Sequence, residues 1–353
     1  MIVVDSFIDR LGIHPVIQAP MAGVSTPKMA AEVSNAGALG SLGIGSSTAE
    51  QARQMIRATR ALTGRPFNVN VFCHARPVRD AQREAAWLKH LEPLFHELGA
   101  EVPNGLTELY PGFLDGNDVF DMLLEERPAV VSFHFGLPSG ERIRALQSAG
   151  MLTLATATSL HEAALIEEAG VDAIIAQGIE AGGHRGVFDA SAEDQRLSTA
   201  VLVRLLARRV NRPVIAAGGI MDGQGIRAML ALGASAAQLG TAFIPCPESR
   251  ADAGYRAALK SERAGITRLT SVFSGRPARG ILNRFVACAE AGCVEPAAYP
   301  LAYDAAKRLM GAAIRQGNDA FSAHWAGQGA SLVRELPAGR LVYTLMEELN
   351  AGS

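Results

Sequence analysis

The 353-residue sequence has no excess of charge of either sign and few cysteines. Its 33 Lys and Arg residues nearly balance 35 Asp and Glu residues, for a formal net charge of −2. A dedicated nucleic-acid-binding protein is normally basic, so the composition argues against that class. The four cysteines (Cys73, Cys246, Cys288 and Cys293) include no C-x-x-C pair. The one C-x4-C spacing has no second pair or flanking histidines, so no metal site is expected.

Long apolar runs and a targeting signal are also missing. No run of about 18 apolar residues occurs, which argues against a membrane span. The N-terminal MIVVDSFIDR has no basic segment followed by an apolar stretch, as a signal peptide requires. Hydrophobic residues make up 48% of the chain and charged residues only 19%, which excludes disorder. We expect a soluble, cytoplasmic protein without a nucleic-acid or membrane partner, and no feature indicates a protein partner.

The sequence does contain a recurring unit of an amphipathic helix pattern, a glycine and a short apolar strand. Examples are RIRALQSAG followed by MLTLATAT, and HEAALIEEAG followed by VDAIIAQG. Glycine suits the stop position because the residue after a helix often adopts positive φ. Short apolar strands separated by helix patterns are typical of a parallel sheet covered by helices. The predicted strands span residues 16–19, 39–42, 68–72, 130–135, 152–156, 173–176, 214–217 and 236–239.

Eight strands in roughly 245 residues predict an α/β fold of the (β/α)8 TIM-barrel type. A doubly wound open sheet is the alternative. The alternation of helices and strands stops after Phe243, and residues 249–324 predict a small, mostly helical subdomain that caps the barrel. Residues 1–248 would form the barrel, and residues 325–353 would pack back on it through an amphipathic helix. Residues 76–118 exceed an ordinary connection, and long loops of this kind are often lids.

Polar side chains collect at the C-terminal ends of the predicted strands, where the active site of such a barrel lies. Alternation puts Asn68 and Asn70 on one face of the third strand, and Ser132 and His134 on one face of the fourth. His134 is either a general base or a core histidine bonded to a neighbouring carbonyl. Asn70 and Gln177 could each offer a donor and an acceptor to a heteroaromatic ring, or could only satisfy the backbone.

Glycines after the seventh and eighth strands favour a phosphate site. Gly218, Gly219, Gly240 and Thr241 can bring backbone N–H groups close to an anion. The alternative is that these glycines only form tight turns. Residues 223–228 match a loose dinucleotide fingerprint, but the following strand ends in Gly-Thr rather than in an acid that would hold a ribose. A Rossmann site is therefore not expected.

A second polar group comes from the later part of the chain. Tyr299, Tyr303 and Lys307 recur at i, i+4 and i+8, which predicts one face of a helix. Two phenols and an ammonium could bind a small carboxylate, and the alternative is an amphipathic helix with an exposed lysine. Pro300 leaves the helix start open, because proline prefers the first turn. His184 either contacts a cofactor or rigidifies its glycine loop.

Segments spread over nearly the whole chain resemble the nitronate monooxygenases, formerly called 2-nitropropane dioxygenases. HFGLP together with EAGGHRG is specific to the first class of that family. Ala38 departs from the usual NAGGLG and Leu239 replaces a common methionine, and neither change touches the chemistry. The matching segments are QAPMAGVSTP (18–27), VSNAGALGSLG (33–43), PFNVNVFCH (66–74), VVSFHFGLP (130–138), AQGIEAGGHRG (176–186), PVIAAGGIMDG (213–223), QLGTAF (238–243) and WAGQGA (325–330).

The resemblance implies a barrel that holds non-covalent FMN and oxidises alkyl nitronates, notably propionate 3-nitronate, with O2. The products would be an aldehyde or other carbonyl compound and nitrite or nitrate. His134 would be the catalytic histidine, and the substrate would contact Tyr110, Tyr299, Tyr303, Lys307 and His184. FMN would contact Met21, Asn70, Gln177, Gly182, Gly183, Gly218, Gly219, Gln238, Leu239, Gly240 and Thr241.

The role of His134 depends on the substrate that the enzyme takes. It would abstract a proton only from a neutral nitroalkane, whereas a nitronate anion would need only charge or a hydrogen bond from it. Three alternatives to a nitronate monooxygenase stay open. They are an FMN-dependent NAD(P)H:quinone reductase on the same barrel, a related enoyl-thioester reductase, and an FMN-binding protein without turnover.

Overall fold

A computed structural model describes residues 7–351 of the chain. Its centre is a ring of eight parallel strands, each within one residue of a predicted strand at both ends, which confirms the (β/α)8 barrel over the open sheet. A bridge between Ile17 and Leu39 joins the first strand to the second and closes the ring. The barrel strands are β1 Val16–Gln18, β2 Gly40–Gly43, β3 Phe67–Phe72, β4 Val130–His134, β5 Leu152–Ala157, β6 Ala173–Gln177, β8 Val214–Ala217 and β9 Ala236–Leu239.

Helices cover the outside of the barrel between successive strands. Several begin at a side chain that satisfies a free N–H of the first turn: Thr48 accepts from Gln51 and Ser159 accepts from Glu162. The helices up to β9 are α1 Phe7–Leu11, α2 Pro27–Asn35, α3 Ala49–Leu62, α4 Ala81–Glu97, α5 Asp118–Glu126, α6 Gly140–Ser148, α7 Leu160–Glu168, α8 Thr199–Leu206 and α9 Gly223–Ala231. Of these, α1 precedes the first strand, and α4 packs against the later part of the chain.

The interior of the barrel is apolar at one end and polar at the other. Buried Ile17, Leu154 and Ile215 belong to a cluster that includes Phe7 of the preceding helix and the first residues of β4 and β5. That cluster fills the N-terminal end of the barrel. The larger core lies between the strands and the helices and contains outward-facing residues such as Phe133. The polar strand ends are therefore confined to the C-terminal opening.

Residues 249–324 contain helices and an additional small sheet. Its strands at residues 267–270 and 278–281 pair antiparallel, and the second of them also pairs with a short strand in the glycine loop after β6. This hairpin gave no signal in the sequence because its four-residue strands carry arginines and lack an apolar run. The division of the chain into two domains stays a prediction. Residues 249–324 contain α10 Ala253–Leu259, β10 Thr267–Thr270, β11 Ala278–Ile281, α11 Arg284–Glu290 and α12 Ala302–Arg315, with 3-10 turns at Glu262–Gly265 and Ala291–Cys293. The short strand of the glycine loop is β7 Gly183–His184, and further 3-10 turns lie at Thr241–Phe243 and Ala330–Leu332.

Residues 76–118 are not the open loop that the sequence suggested. They contain α4, a 17-residue helix with a proline inside it. Trp87, Leu91 and Phe95 of this helix pack in one buried cluster with Phe285 and Leu309 from the later part of the chain. The first half of this long connection is thus a packed helix that contains Trp87 and Pro93.

The last helix, α13 Ala338–Asn350, packs against α2 and α9. Glu348 accepts a hydrogen bond from the Gly223 N–H at 2.9 Å, and Arg227 donates to the Leu349 carbonyl at 3.1 Å. In residues 7–351, no helix is both long enough and apolar enough to cross a membrane.

Candidate active site

A cavity of about 460 Å³ opens at the C-terminal end of the barrel. This size is in the range of small-molecule sites. It brings together every residue that the sequence analysis assigned to catalysis, cofactor or substrate, with the exception of Leu239. The Leu239 side chain is buried in the core between strands and helices, so it is not part of the cavity wall. Asn68 is likewise below the cavity, where its amide donates to Ser41 Oγ.

His134 stands at the end of β4, and both of its ring nitrogens have partners. Nδ1 lies 3.1 Å from Thr156 Oγ1, and Nε2 lies 3.2 Å from the backbone oxygen of His184. Because a carbonyl can only accept, Nε2 carries the proton and Nδ1 accepts from the Thr156 hydroxyl. Burial lowers the pKa of His134 to about 4, so the ring is neutral near pH 7.

His184 belongs to the glycine loop, and its ring forms part of the cavity wall. Nε2 lies 2.9 Å from Ser274 Oγ. The ring packs 5.7 Å from Tyr299 and 5.4 Å from Trp325, measured between ring centroids. Burial, reinforced by the nearby His134 and Arg276, lowers the pKa of His184 to about 3. Two neutral imidazoles therefore line the cavity, and the ring of Phe135 contacts both.

The amide side chains of the barrel differ in which hydrogen-bonding atoms remain available to a ligand. Gln177 uses both ends of its amide, donating to the His184 carbonyl at 3.0 Å and accepting from the Gly186 N–H at 2.8 Å. Asn70 donates twice to Ser132, which leaves its side-chain oxygen as an acceptor. Gln238 Oε1 is buried without a hydrogen-bond partner in the described part of the chain. Gln177 therefore holds the glycine loop, whereas Asn70 and Gln238 offer acceptors to a ligand.

The glycines after β8 and β9 expose backbone at the floor of the cavity. Gly218 and Gly219 have φ of +122° and +70°, conformations that favour glycine. A Cβ on Gly182 would lie 2.5 Å from the Gly327 nitrogen, so that loop also needs glycine. The Thr241 hydroxyl accepts from the Gly327 N–H at 3.0 Å, and its own proton remains available. This floor can approach and donate to an anion.

A cationic and phenolic group covers the opposite side of the cavity. The Lys307 ammonium lies 4.6 Å from the centre of the Tyr110 ring, and desolvation lowers the pKa of Lys307. Tyr303 lies edge-on to Tyr110 at 5.9 Å, and its hydroxyl bonds to the side chain of Trp325. The structure assigns no ion pair to Lys307 within residues 7–351. A small anion would give this ammonium its counter-charge.

The three residues expected on one helix face do not all lie on a helix. Tyr303 and Lys307 are on α12, whereas Tyr299 precedes it, joined to Pro300 by a cis peptide bond. Pro300 begins the turn that leads into the helix, since its carbonyl accepts from the Tyr303 N–H. All three side chains still reach the cavity.

Trp325 and Tyr255 also line the cavity, and the sequence analysis assigned neither to it. Trp325 opens the WAGQGA segment, so a signal for it existed. Tyr255 lies in a stretch that reads as an ordinary amphipathic helix, and its hydroxyl donates to the Trp325 carbonyl. Its position depends on a contact between distant parts of the chain and was not visible in the sequence.

Comparisons with known proteins identify the family of the chain. The sequence model of the family described as nitronate monooxygenase matches residues 6–348. A protein named nitronate monooxygenase from Pseudomonas aeruginosa is 58% identical over 347 residues, which is 98% of this chain and 99% of that one. A protein of the same name from Paraburkholderia phytofirmans is 58% identical over 346 residues, covering 98% of this chain and 94% of that one.

Among solved structures, a nitroalkane oxidase from Streptomyces ansochromogenes superimposes with a TM-score of 0.90 at 44% identity, covering 98% of each chain. The family indicated by the sequence motifs is thereby confirmed. The chain belongs to the nitronate monooxygenase family and is an oxidoreductase.

Proposed function

We propose that this protein binds FMN and uses it to oxidise small alkyl nitronates with O2, with propionate 3-nitronate as the expected substrate. The proposal rests on one observation, which is that two chemically different surfaces face the same cavity. Free acceptors and glycine backbone form one side, and Lys307 with its surrounding tyrosines forms the other. The first side fits a planar, hydrogen-bonding cofactor with a phosphate, and the second fits a small carboxylate.

The residues at the floor of the cavity fit FMN. Gln238 Oε1 is an enclosed acceptor without a partner, and such an atom costs free energy unless a ligand satisfies it. Thr241 and the backbone at Gly219 would hold the phosphate, and Asn70 would face the ring system. Met21 also lines this part of the cavity. Bound FMN would supply the electron-accepting chemistry, which no side chain can provide.

Lys307 and the tyrosines would bind and orient the substrate. The ammonium would pair with the carboxylate of propionate 3-nitronate, and the phenols of Tyr110 and Tyr303 would surround it. Burial raises the pKa of Tyr299 and of Tyr303, so both phenols stay protonated and can donate. A nitronate is already an anion, so orientation beside the cofactor is the main task left to the protein.

The hydrogen bonds favour His184 over His134 as the group that meets the substrate. His134 uses both nitrogens inside the protein, and it holds the backbone of the glycine loop. His184 uses Nε2 alone and lines the cavity. If a neutral nitroalkane enters, His184 Nδ1 is the better placed acceptor for its proton. Neither ring supplies positive charge near pH 7, since both pKa values lie at about 4 or below.

Cofactor identification and product analysis test this proposal. Flavin released from the purified protein by heat should be FMN. With propionate 3-nitronate and O2, the protein should form a carbonyl product together with nitrite or nitrate. Protein with FMN that oxidises NADH with a quinone and leaves nitronates unchanged would instead be the NAD(P)H:quinone reductase. Protein that binds FMN and oxidises neither would be a flavin carrier.

A further inference from the structure

Ser274 makes three hydrogen bonds around a single hydroxyl group. Its Oγ lies 2.9 Å from His184 Nε2, accepts from the Arg276 N–H at 3.2 Å, and donates to the Arg276 carbonyl at 3.1 Å. Ser274 is fully buried, so water does not compete for these positions. A hydroxyl has one proton, and here that proton goes to the Arg276 carbonyl. His184 Nε2 must therefore be the donor in the remaining bond.

The backbone of His184 is held as firmly as its ring. β7 pairs with β11 through His184 and Ala278, and the His184 carbonyl accepts from Gln177 Nε2 at 3.0 Å. With backbone and Nε2 both fixed, the ring has one orientation. Nδ1 has no hydrogen-bond partner in residues 7–351, and it is not among the fully enclosed polar atoms, so it is open to the cavity.

Arg276 adds a positive charge behind this ring. Its guanidinium donates to the carbonyls of Val187 and Phe188 at 2.9 and 3.1 Å and lies 4.6 Å from the centre of the Phe135 ring. Within the described residues, no carboxylate forms an ion pair with it. A buried cation at this place disfavours a second proton on His184. The ring thus keeps a single proton, and Ser274 decides which nitrogen carries it.

We propose that Ser274 is a positioning residue that fixes His184 as the Nε2–H tautomer and so presents Nδ1 to the cavity as a hydrogen-bond and proton acceptor. The assignment of the tautomer stands on the contacts of the chain itself. Its consequence for turnover rests on the proposed function, in which His184 meets the substrate. Ser274 lies outside the residues that line the cavity, so its effect on the reaction passes through His184.

The tautomer can be read directly by NMR in protein labelled with 15N-histidine. The side-chain nitrogens of His184 are assigned by their loss in H184N. In the wild type, Nε2 should carry the proton. In S274A, the ratio of Nδ1–H to Nε2–H forms should rise about tenfold, the factor expected for one ordinary hydrogen bond. S274T, which keeps a hydroxyl, should restore the wild-type ratio.

Ser271 provides a matched control in the same turn. Its backbone carbonyl accepts from the Gly275 N–H, and its side chain has no hydrogen-bond partner within residues 7–351, so S271A should leave the tautomer unchanged. An Nδ1–H ring in the wild type overturns the proposal, and this result does not require S274A to fold. An unchanged ratio in folded S274A overturns it as well.

Activity measurements separate this proposal from the proposed function. S274A should lower kcat/KM for 3-nitropropionate, the nitroalkane whose proton Nδ1 would accept, about tenfold, with S274T restoring it and FMN content unchanged. A wild type that carries the Nε2–H tautomer but does not oxidise nitronates would reject the proposed function and leave the role of Ser274 intact. The wrong tautomer in an active wild type would reject only the role of Ser274.

Discussion

The Nε2 nitrogen of His134 lies 3.2 Å from the backbone oxygen of His184. One histidine thus holds the main chain of the other. With Nδ1 of His134 bonded to Thr156, both nitrogens of that ring have partners inside the protein, whereas Nδ1 of His184 has none within residues 7–351; both rings line the cavity. The proposed function therefore assigns substrate contact to His184, a choice between the two rings that the sequence alone could not make.

Replacing each histidine by glutamine tests that division. Gln at position 134 keeps an N–H near the place of Nε2, so H134Q should retain kcat/KM for 3-nitropropionate within about tenfold. H184Q removes the proposed proton acceptor and should lower kcat/KM for 3-nitropropionate about 100-fold, the lower end of the effect of a general base. Steady-state kinetics with FMN-saturated variants give both numbers. A larger loss in H134Q than in H184Q would reverse the assignment.

Lys307 should matter only for substrates that carry a carboxylate. In K307M, KM for propionate 3-nitronate should rise about 10- to 100-fold, because a charged hydrogen bond of about 1.5–3 kcal/mol is lost. Ethylnitronate has no carboxylate, and its KM should change by less than about threefold. K89M, a change at an exposed lysine on α4, is the control. Equal losses for the two substrates would show that Lys307 does not read the carboxylate.

The Gln238 side chain should lower the stability of flavin-free protein and raise the affinity for FMN. In Q238L, the free energy of unfolding of flavin-free protein should rise by about 1 kcal/mol, because a buried unpaired oxygen is removed. The Kd for FMN, measured by fluorescence quenching, should rise about tenfold. Q224L, at an exposed position on α9, is the control and should change neither the free energy of unfolding nor the Kd for FMN. An unchanged Kd in Q238L would remove Gln238 from the cofactor site.

Four enclosed histidines, His74, His134, His184 and His324, should make stability depend on pH. Burial lowers the pKa of each, from 6.5 to about 4 for His134 and about 3 for His184, so below pH 6.5 the unfolded chain binds more protons than the native one. The free energy of unfolding should therefore fall as the pH drops from 6.5 towards 4, by up to about 1.4 kcal/mol per pH unit for each ring. Urea unfolding at several pH values measures this slope.

Variants identify the source of that slope. In H184Q, the free energy of unfolding should depend less steeply on pH, because glutamine does not titrate and the contribution of His184 is lost. H161Q, at an exposed position on α7, should retain the wild-type slope. A slope that is the same in H184Q and the wild type would mean that His184 does not titrate as its burial implies.

The barrel could be read from the sequence because its strands are buried on both faces. Runs such as VIAA and AIIA have no polar positions, and a glycine marks the end of the preceding helix in several units. The hairpin of β10 and β11 gave no such signal, since Arg268 and Arg279 interrupt its short strands. Helix α4 was missed because Pro93 lies inside it. An enclosed element is thus readable from the sequence where it is wholly apolar, and it is missed where a buried arginine or an internal proline interrupts the pattern.

The cavity residues were found largely through motifs, but their hydrogen bonds were not. The pattern of Tyr303 and Lys307 follows from helix periodicity, whereas Tyr299 reaches the cavity from the turn before α12. Which nitrogen of a histidine is free depends on partners far away in the chain, as between His184 and Ser274, 90 positions apart. Such contacts are set by packing, and no local pattern encodes them.

Oxygen uptake tests the central claim most directly. FMN-saturated protein is mixed with propionate 3-nitronate in an oxygen electrode, and a parallel sample receives NADH and a quinone under anaerobic conditions. The account predicts rapid O2 consumption with the nitronate, formation of nitrite or nitrate, and no oxidation of NADH. NADH oxidation without O2 uptake on nitronate would contradict it, since the barrel and cofactor would then serve a different electron donor.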